Sequence, residues 1–345
     1  MENVYVGVSG GVDSAVAALL LKEQGYDVTG FTLFLTDGAD TSDAAEVCEH
    51  IGIPHEIIDF RKEFERTVSG PFLEIYSRGL TPNPCILCNK NIKFGAAIDY
   101  IGNKADYIAT GHYASVVCDE STGRMTFKKS ADDSKDQTYM FWTLSQQQIK
   151  KIKMPLGGFT KFKVREIALQ HGFAAANSPD SQDICFLKDI SVKDYISQHM
   201  PSVIKEGDII DTEGNILGRH NGIAGYTLGQ RKGLGVASDG KKYVVGIDAE
   251  KNQVILGEND HLFSTRLVAG NPNFQITEKL TSHIEVEAKI RYAAKPAKAT
   301  VFPDGEQIIV EFSEPQRAIT PGQSVVFYRG DILIGGGEII CAEKK

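Results

Sequence analysis

The sequence predicts a doubly wound α/β domain built on a parallel sheet, then a small central domain and a C-terminal all-β barrel. Three observations carry the prediction. Apolar strands alternate with helices from Asn3 to Thr110, the order that gives parallel βαβ units. After Pro201 the chain becomes rich in glycine and turns. From Asn271 onward hydrophobicity alternates with period two between turn signals such as Pro303-Asp304-Gly305 and Pro321-Gly322. The expected units are the α/β domain over 1–200, the central domain over 201–268 and the barrel over 269–345.

In order, Asn3 to Val8 is a strand with Val4, Val6 and Val8 on alternate positions. A helix follows in which Val12, Val16, Leu19 and Leu20 repeat at helical spacing. Gly25 ends it. Asp27 to Leu35 reads as the second strand, residues 41 or 42 to His50 as a helix stopped by Gly52, and Pro54 to Phe60 as the third strand. A longer helix is expected from Lys62 to Tyr76. Pro82 and Pro84 forbid regular structure before Cys85, and the next helix carries Phe94, Ala97, Ile98 and Ile101. Asp106 to Thr110 is a strand, 116–130 a hairpin, and Thr138 to Leu144 an aromatic strand introduced by Lys135-Asp136-Gln137. Two helices, Ser145 to Lys153 and Phe162 to His171, lead to a polar loop ending at Phe186. Tyr243 to Ile247 and Gln253 to Leu256 are strands of the central domain. The barrel strands are Ile284 to Ile290, Ala299 to Phe302, Ile308 to Phe312, Val325 to Tyr328 and Ile332 to Ile340.

Ser9-Gly10-Gly11-Val12-Asp13-Ser14 joins the first strand to the first helix. A strand, a glycine turn and a helix N-terminus make an anion site, because the first-turn N–H groups have no intrahelical partner and glycine lets backbone approach an oxyanion. The hydroxyls of Ser9 and Ser14 add donors. No Gly-x-x-x-x-Gly-Lys-Ser/Thr pattern is present, so this is not the common P-loop. The alternative is a turn whose glycines serve close packing alone. In an open α/β sheet ligands bind outside the carboxyl ends of the strands, which is where this loop falls.

A formal charge of −8 argues against a coat protein that binds nucleic acid without regard to sequence. It leaves room for a local basic face. Lys150, Lys151, Lys153, Lys161, Lys163 and Arg165 form a run without an acid, read either as a solvated helix face or as an RNA contact. The N-terminus enters a strand at once and no apolar run is long enough to span a membrane, so a cytoplasmic protein without membrane contact is expected. In a reducing compartment six cysteines point to metal binding or catalysis rather than a disulfide framework. Cys48, Cys118 and Cys341 read as ordinary packing. Cys85-x-x-Cys88 is open to three readings: a redox pair, two metal ligands, or coincidence. Its place near a helix N-terminus is expected to lower the thiol pKa. Cys185 sits in a polar loop, an unusual place for a core cysteine.

The glycine loop resembles the pyrophosphate loop of the N-type ATP pyrophosphatases. Asn83 to Phe94, Gly111-His112-Tyr113, Lys135-Asp136-Gln137, Ser181 to Phe186, Tyr226 to Gly233, Arg291-Tyr292 and Pro321-Gly322-Gln323 follow in order. With them the chain resembles the tRNA-specific 2-thiouridylases over nearly its whole length. The resemblance implies an adenylating, adenine nucleotide α-hydrolase-like α/β domain, a central domain and a tRNA-contacting barrel. The implied reaction is ATP-dependent 2-thiolation of the wobble uridine in tRNAs for Lys, Glu and Gln. ATP would be bound by Gly7, Val8, Ser9, Gly10, Gly11, Val12, Asp13, Ser14, Leu33 and Gly111, with Mg2+ as counterion and Asp13 as its candidate contact. Asn83, His112, Lys135, Asp136, Gln137, Arg291, Tyr292 and Gln323 would hold the tRNA.

By the same resemblance Cys185 carries a persulfide and Cys88 attacks it, closing a catalytic disulfide. The sulfur donor would be a cysteine desulfurase, a relay protein or free sulfide. One departure stands out: many relatives have Asp where this chain has Cys85. The set Cys85, Cys88 and Cys185 is similar to thiolating enzymes that hold a four-iron four-sulfur cluster on three cysteines. A cluster and a persulfide route with Cys85 as bystander both follow from the resemblance. Two other classes stand beside these, an ATP pyrophosphatase acting on a small molecule and a tRNA-binding protein without catalysis.

Overall fold

Alternation in β1 (Asn3–Gly7) puts Val4 and Val6, both fully buried, on one face of the central sheet and Tyr5 on the other. The computed structural model describes residues 1–178, 184–187, 190–236 and 240–343. β2 (Asp27–Phe34) and β3 (His55–Asp59) add to β1 in parallel on one side, and β4 (Tyr107–Ala109) adds on the other. After the hairpin β5 (Ala114–Cys118) and β6 (Met125–Lys129), β7 (Ile152–Lys153) completes the order β3-β2-β1-β4-β7, every pair parallel. The order reverses between β1 and β4. That switch point opens a crevice at the carboxyl ends of the two strands.

Helices cover both faces. α1 (Val12–Glu23) and α2 (Ser42–Ile51) pack on the Val4–Val6 face. On the other face α3 (Arg61–Phe64) runs through a π-helical turn, Glu65–Ser69, into α4 (Gly70–Ser77). In the same way α5 (Pro84–Cys88) continues through Asn89–Ala96 into α6 (Ala97–Ile101). α7 (Gln146–Ile149) follows, closed by a capping box between Ser145 and Gln148. α8 (Lys161–Gln170) returns to the α1 face, and α9 (Val192–His199) sends Tyr195 and Ile196 into the core beneath α4.

The central domain is a four-stranded sheet of β8 (Glu206–Asp211), β9 (Ile216–Asn221), β10 (Tyr243–Asp248) and β11 (Gln253–Gly257), in the order β10-β11-β8-β9. The C-terminal strands are β12 (Phe263–Phe274), β13 (Ile284–Lys289), β14 (Ala297–Asp304), β15 (Gln307–Arg317), β16 (Ser324–Arg329) and β17 (Ile332–Glu343). They run antiparallel, and the β12–β17 pairing closes them into a barrel without a free edge. Ile332 of β17 also pairs with Lys128 of β6, so the hairpin of the first domain is hung on the barrel wall. Val326, Tyr328 and Leu333 belong to the same apolar cluster as Phe94, Phe127 and Phe141. The barrel and the α/β domain therefore share a core.

Two expectations need correction. Thr138 to Leu144 is not a strand: Thr138–Met140 is a 3-10 turn, and Tyr139, Phe141, Trp142 and Leu144 are buried on every side. An aromatic run that is apolar all round has no solvent face and so need not follow a period of two. The expected helix to Lys153 stops at Ile149, and Ile152–Lys153 instead joins the parallel sheet. A strand of two residues leaves no period to read. Among the described residues no helix is long and apolar enough to cross a membrane.

Candidate active site

The glycine loop leaves β1 at the switch point. Gly10 adopts φ 80°, a left-handed conformation that side chains rarely take, and a Cβ there would collide with Asp43. Gly11 stands at the N-cap of α1 and gives no side-chain cap, so the helix N-terminus stays open to a ligand. Ser14 ties the turn together: its Oγ accepts from Ser9 N–H at 3.1 Å and donates to Gly11 C=O at 2.9 Å. Val8 N–H donates to Phe31 C=O at 2.8 Å, and Thr32 donates to Val8 C=O at 2.7 Å. These bonds fix the strand end beside Gly7, while Leu33 stands half-buried near the end of β2. Gly111, just beyond β4, closes the other wall. A Cβ on it would lie 2.8 Å from Asp13 C=O and 2.8 Å from Ser14 N. The sequence-predicted loop residues and Gly111 are thus brought together.

Asp13 is not free. Lys161 Nζ lies 2.7 Å from each carboxylate oxygen, and Tyr113 OH donates to Oδ1 at 2.7 Å. In this conformation the carboxylate is engaged by an ammonium and a phenol hydroxyl. Tyr113 continues the connection, since its N–H donates to Gln137 Oε1 at 2.8 Å and its C=O accepts from Gln137 N–H at 3.0 Å. Asp136 accepts from Thr138 Oγ1 at 2.8 Å, and its C=O accepts from Tyr292 OH of the barrel at 3.1 Å. The Lys135–Gln137 segment therefore runs from the nucleotide loop to the barrel, with Lys135 N–H donating to Asp132 C=O at 3.0 Å.

The cysteine segment lies on the other side of the β4 end. Asn83 caps α5 by accepting from Ile86 N–H at 3.4 Å. Cys85 is exposed and Cys88 is buried. Gln323 of the barrel donates to Thr81 C=O at 3.0 Å and Pro82 C=O at 3.1 Å, holding the loop just ahead of Asn83. Arg291, next to Tyr292, donates to Arg317 C=O at 3.1 Å within the barrel. Cys185 is exposed, and Ser181 to Asp183 of its motif lie outside the described residues.

The three thiols interact electrostatically with one another and with Lys93, and Tyr292 feels Cys85. Desolvation by the surrounding protein is the dominant influence on each thiol, strongest at the buried Cys88 and acting on Cys85 and Cys185 although both keep exposed surface. It pushes Cys88 up to about 11 and raises Cys85 and Cys185, while the Lys93 ammonium pulls all three the other way by less. The expectation of helix-lowered thiols is therefore overturned. α5 flows into the next helical turn, so Cys88 sits inside a helical run and away from water. Among the described residues no group of three or more His, Cys, Asp or Glu side chains converges to hold a metal ion.

His112 stands between the two centres. Its ring packs against Phe141 (centroids 5.2 Å, edge-on) and Phe94. Burial first, and Lys93 second, hold its pKa well below the usual range, so it is neutral. Lys93 approaches Nε2 at 3.5 Å and can only donate, which leaves the proton on Nδ1, 2.7 Å from Thr110 Oγ1.

Sequence reasoning missed Lys93, Tyr113 and Lys161 as site residues. Lys161 belongs to the basic run 150–165, but it is buried and does not join a solvent face. Lys153 lies over the rings of Tyr107 and Tyr26 near the amino ends of the strands, Lys163 pairs with Glu166, and Arg165 donates to Ala176 C=O and Ser178 C=O. The available signal was a lysine at the first position of a helix, the end where a cation is disfavoured. Of the packing cysteines, only Cys48 is buried; Cys118 and Cys341 are exposed.

Comparison with known proteins decides the family. Residues 2–189 match the model described as tRNA methyl transferase HUP domain, 193–258 the tRNA methyl transferase PRC-barrel domain, and 264–339 the Aminomethyltransferase beta-barrel domain. The tRNA-specific 2-thiouridylase MnmA of Clostridioides difficile (strain 630) is 47% identical over 98% of this chain and 98% of its own length. The chain belongs to the tRNA-specific 2-thiouridylase family. A second relative of the same name, from Clostridium acetobutylicum, is 48% identical over 98% of this chain and 99% of its own. The descriptions of two family models mention methyl transfer, whereas these near-full-length relatives are named for thiolation.

Proposed function

We propose that this member of the 2-thiouridylase family is an ATP-dependent tRNA 2-sulfurtransferase acting on the wobble uridine of tRNAs for Lys, Glu and Gln. The observation that carries the reading is an uncapped α1 N-terminus walled by Gly111, whose neighbour His112 is approached by Lys93, the same ammonium that acts on the Cys88 thiol. The loop N–H groups of Gly10 to Ser14 receive the pyrophosphate end of ATP and stabilise its departing charge. The uracil 2-oxygen takes AMP, which makes it a leaving group, and the base leaves its stack to reach the site. Phe94 and Phe141 hold His112 neutral beside that path, so it offers Nδ1–H and an Nε2 acceptor without adding a charge.

For the sulfur step the reading follows the thiol route. Cys185 carries the sulfane sulfur as a persulfide. Cys88, as thiolate, attacks the Cys185 sulfur, which forms the Cys88–Cys185 disulfide and expels hydrosulfide. Hydrosulfide adds at uracil C2 and AMP departs with the former 2-oxygen. A dithiol reductant then reopens the disulfide. Cys85 is a neighbouring thiol that this route leaves unused. The persulfide comes from a cysteine desulfurase or a relay protein, and free cysteines of this kind suit the cytoplasm.

Nucleoside analysis of tRNA incubated with the protein, ATP and a persulfide donor tests the reading. Wild type should form 2-thiouridine. Cys88→Ser and Cys185→Ser should each cut it by roughly 1000-fold or more while retaining tRNA-dependent ATP–pyrophosphate exchange. Thiolation that survives Cys185→Ser would end the persulfide route. Thiolation that requires bound iron would move the reading to the cluster.

A further inference from the structure

Lys161 opens α8, where an ammonium meets the positive end of a helix dipole and loses most of its hydration. It is nevertheless only 8% exposed and sits 2.7 Å from both oxygens of Asp13. Its surroundings fix it there. Its own N–H donates to the Asp132 carboxylate at 3.0 Å, Thr160 caps α8 by accepting from Lys163 N–H at 3.3 Å, and Val164 and Ala168 of α8 share a core with Val12 and Val16 of α1. Asp13 is the second residue of α1, in the turn whose N–H groups face the loop. A bare carboxylate at that point would satisfy the helix N-terminus itself and repel a polyphosphate.

We propose that Lys161 is the positioning residue of the nucleotide loop. It neutralises Asp13 and holds the carboxylate toward α8, which leaves the N–H groups of α1 to the phosphates. Tyr113 OH supports the same oxygen from the Gln137 side. The inference rests on the reading of the glycine loop as a nucleotide site. It puts Lys161 beside the reacting atoms rather than on them, so its effect falls on nucleotide affinity and not on the sulfur step.

Calorimetric titration of MgATP onto the whole chain tests it, with KM for ATP and kcat in parallel. Lys161→Met should weaken ATP roughly 10- to 100-fold and leave tRNA affinity unchanged. Lys161→Arg, which keeps the charge, should stay within about threefold of wild type. The decisive variant is Asp13→Asn with Lys161→Met: removing the carboxylate's charge should restore most of the affinity that the single change lost. Lys161→Met at wild-type affinity would overturn the inference. So would a double variant as weak as Lys161→Met, since the lysine would then act on the nucleotide or on folding. Near-ultraviolet circular dichroism separates a misfolded single variant, and the arginine and double variants still decide the matter in that case. Wild-type protein that binds no MgATP would instead overturn the nucleotide reading of the loop, and this inference with it.

Discussion

The proposed nucleotide end and the proposed sulfur end of this site are built on opposite terms. The first is pre-organised: glycines, a serine hydroxyl and a neutralised aspartate hold open a helix N-terminus at the switch point of a parallel sheet. The second is held at rest. Cys88 is buried and its pKa is raised, and the loop ahead of Cys85 is tied to the barrel by Gln323. The difference fits the order of the chemistry. Adenylation must be ready when ATP and the base arrive, whereas a nucleophilic thiolate exposed beforehand would react with oxidants and stray electrophiles. Pre-organisation serves the first half, and restraint serves the second.

The largest expected effect breaks the nucleotide end alone. Gly111→Ala puts a methyl group 2.7 Å from the Asp13 carbonyl carbon and 2.8 Å from Ser14 N, so either the β4 end or the first turn of α1 must shift. A displacement of that order should lower ATP–pyrophosphate exchange by about 100-fold. Alkylation of Cys88 should stay unchanged. If exchange survives with normal KM, the two strand ends are not the walls of one site.

These contrasts also explain what could be read from the sequence. The glycine turn at the strand end was legible because backbone chemistry built it, and glycine, serine and strand–helix order leave marks in the sequence. The parallel sheet and the barrel followed from periodicity in the same way. Lys161 was not legible, because its partner Asp13 stands far off in the sequence and only the packing of α1 on α8 brings them together. The protonation of Cys88 was likewise hidden. A helix N-terminus argues for a lowered pKa, and nothing in Pro84-Cys85-Ile86-Leu87-Cys88 reveals that burial outweighs it. Gln323 and Tyr292, which the resemblance implies as tRNA contacts, both hydrogen-bond to backbone of the first domain, a tie that no local motif signals.

Gln323 gives the intermediate effect. Gln323→Ala removes two hydrogen bonds from the Thr81–Pro82 backbone, each contributing about 1 kcal/mol net, so the loop ahead of Cys85 loosens. Thiolation should fall about 10-fold while ATP–pyrophosphate exchange holds, because the tie reaches only the sulfur end. An equal loss in both assays would mean that the barrel supports the whole site, and the contrast between the two ends would fail. Gln323→Glu keeps the length but loses the donor pair, and should resemble alanine.

The smallest effect addresses why the sulfur end rests. Two influences act on Cys88 with opposite sign: burial disfavours the thiolate and raises the pKa, and the Lys93 ammonium favours it and lowers the pKa by less. With Cys88 at about 11, its alkylation by iodoacetamide, followed by mass spectrometry of the Cys88 peptide, should rise about tenfold per pH unit from pH 7 to 10. A levelling near pH 8.5 or 9 is the behaviour of an ordinary thiol of pKa about 8.5 and would contradict the burial argument. Lys93→Met removes the favourable cation, so the pKa moves further up and alkylation at pH 8 should slow by roughly 3- to 10-fold, with Lys93→Arg near wild type. The same substitution removes the approach to His112 Nε2, whose ring should then protonate more readily because one of the two influences lowering its pKa is gone. The pH titration of His112 by NMR should therefore shift up in Lys93→Met as Cys88 alkylation slows. Movement of one without the other would show that Lys93 does not serve both groups from a single position.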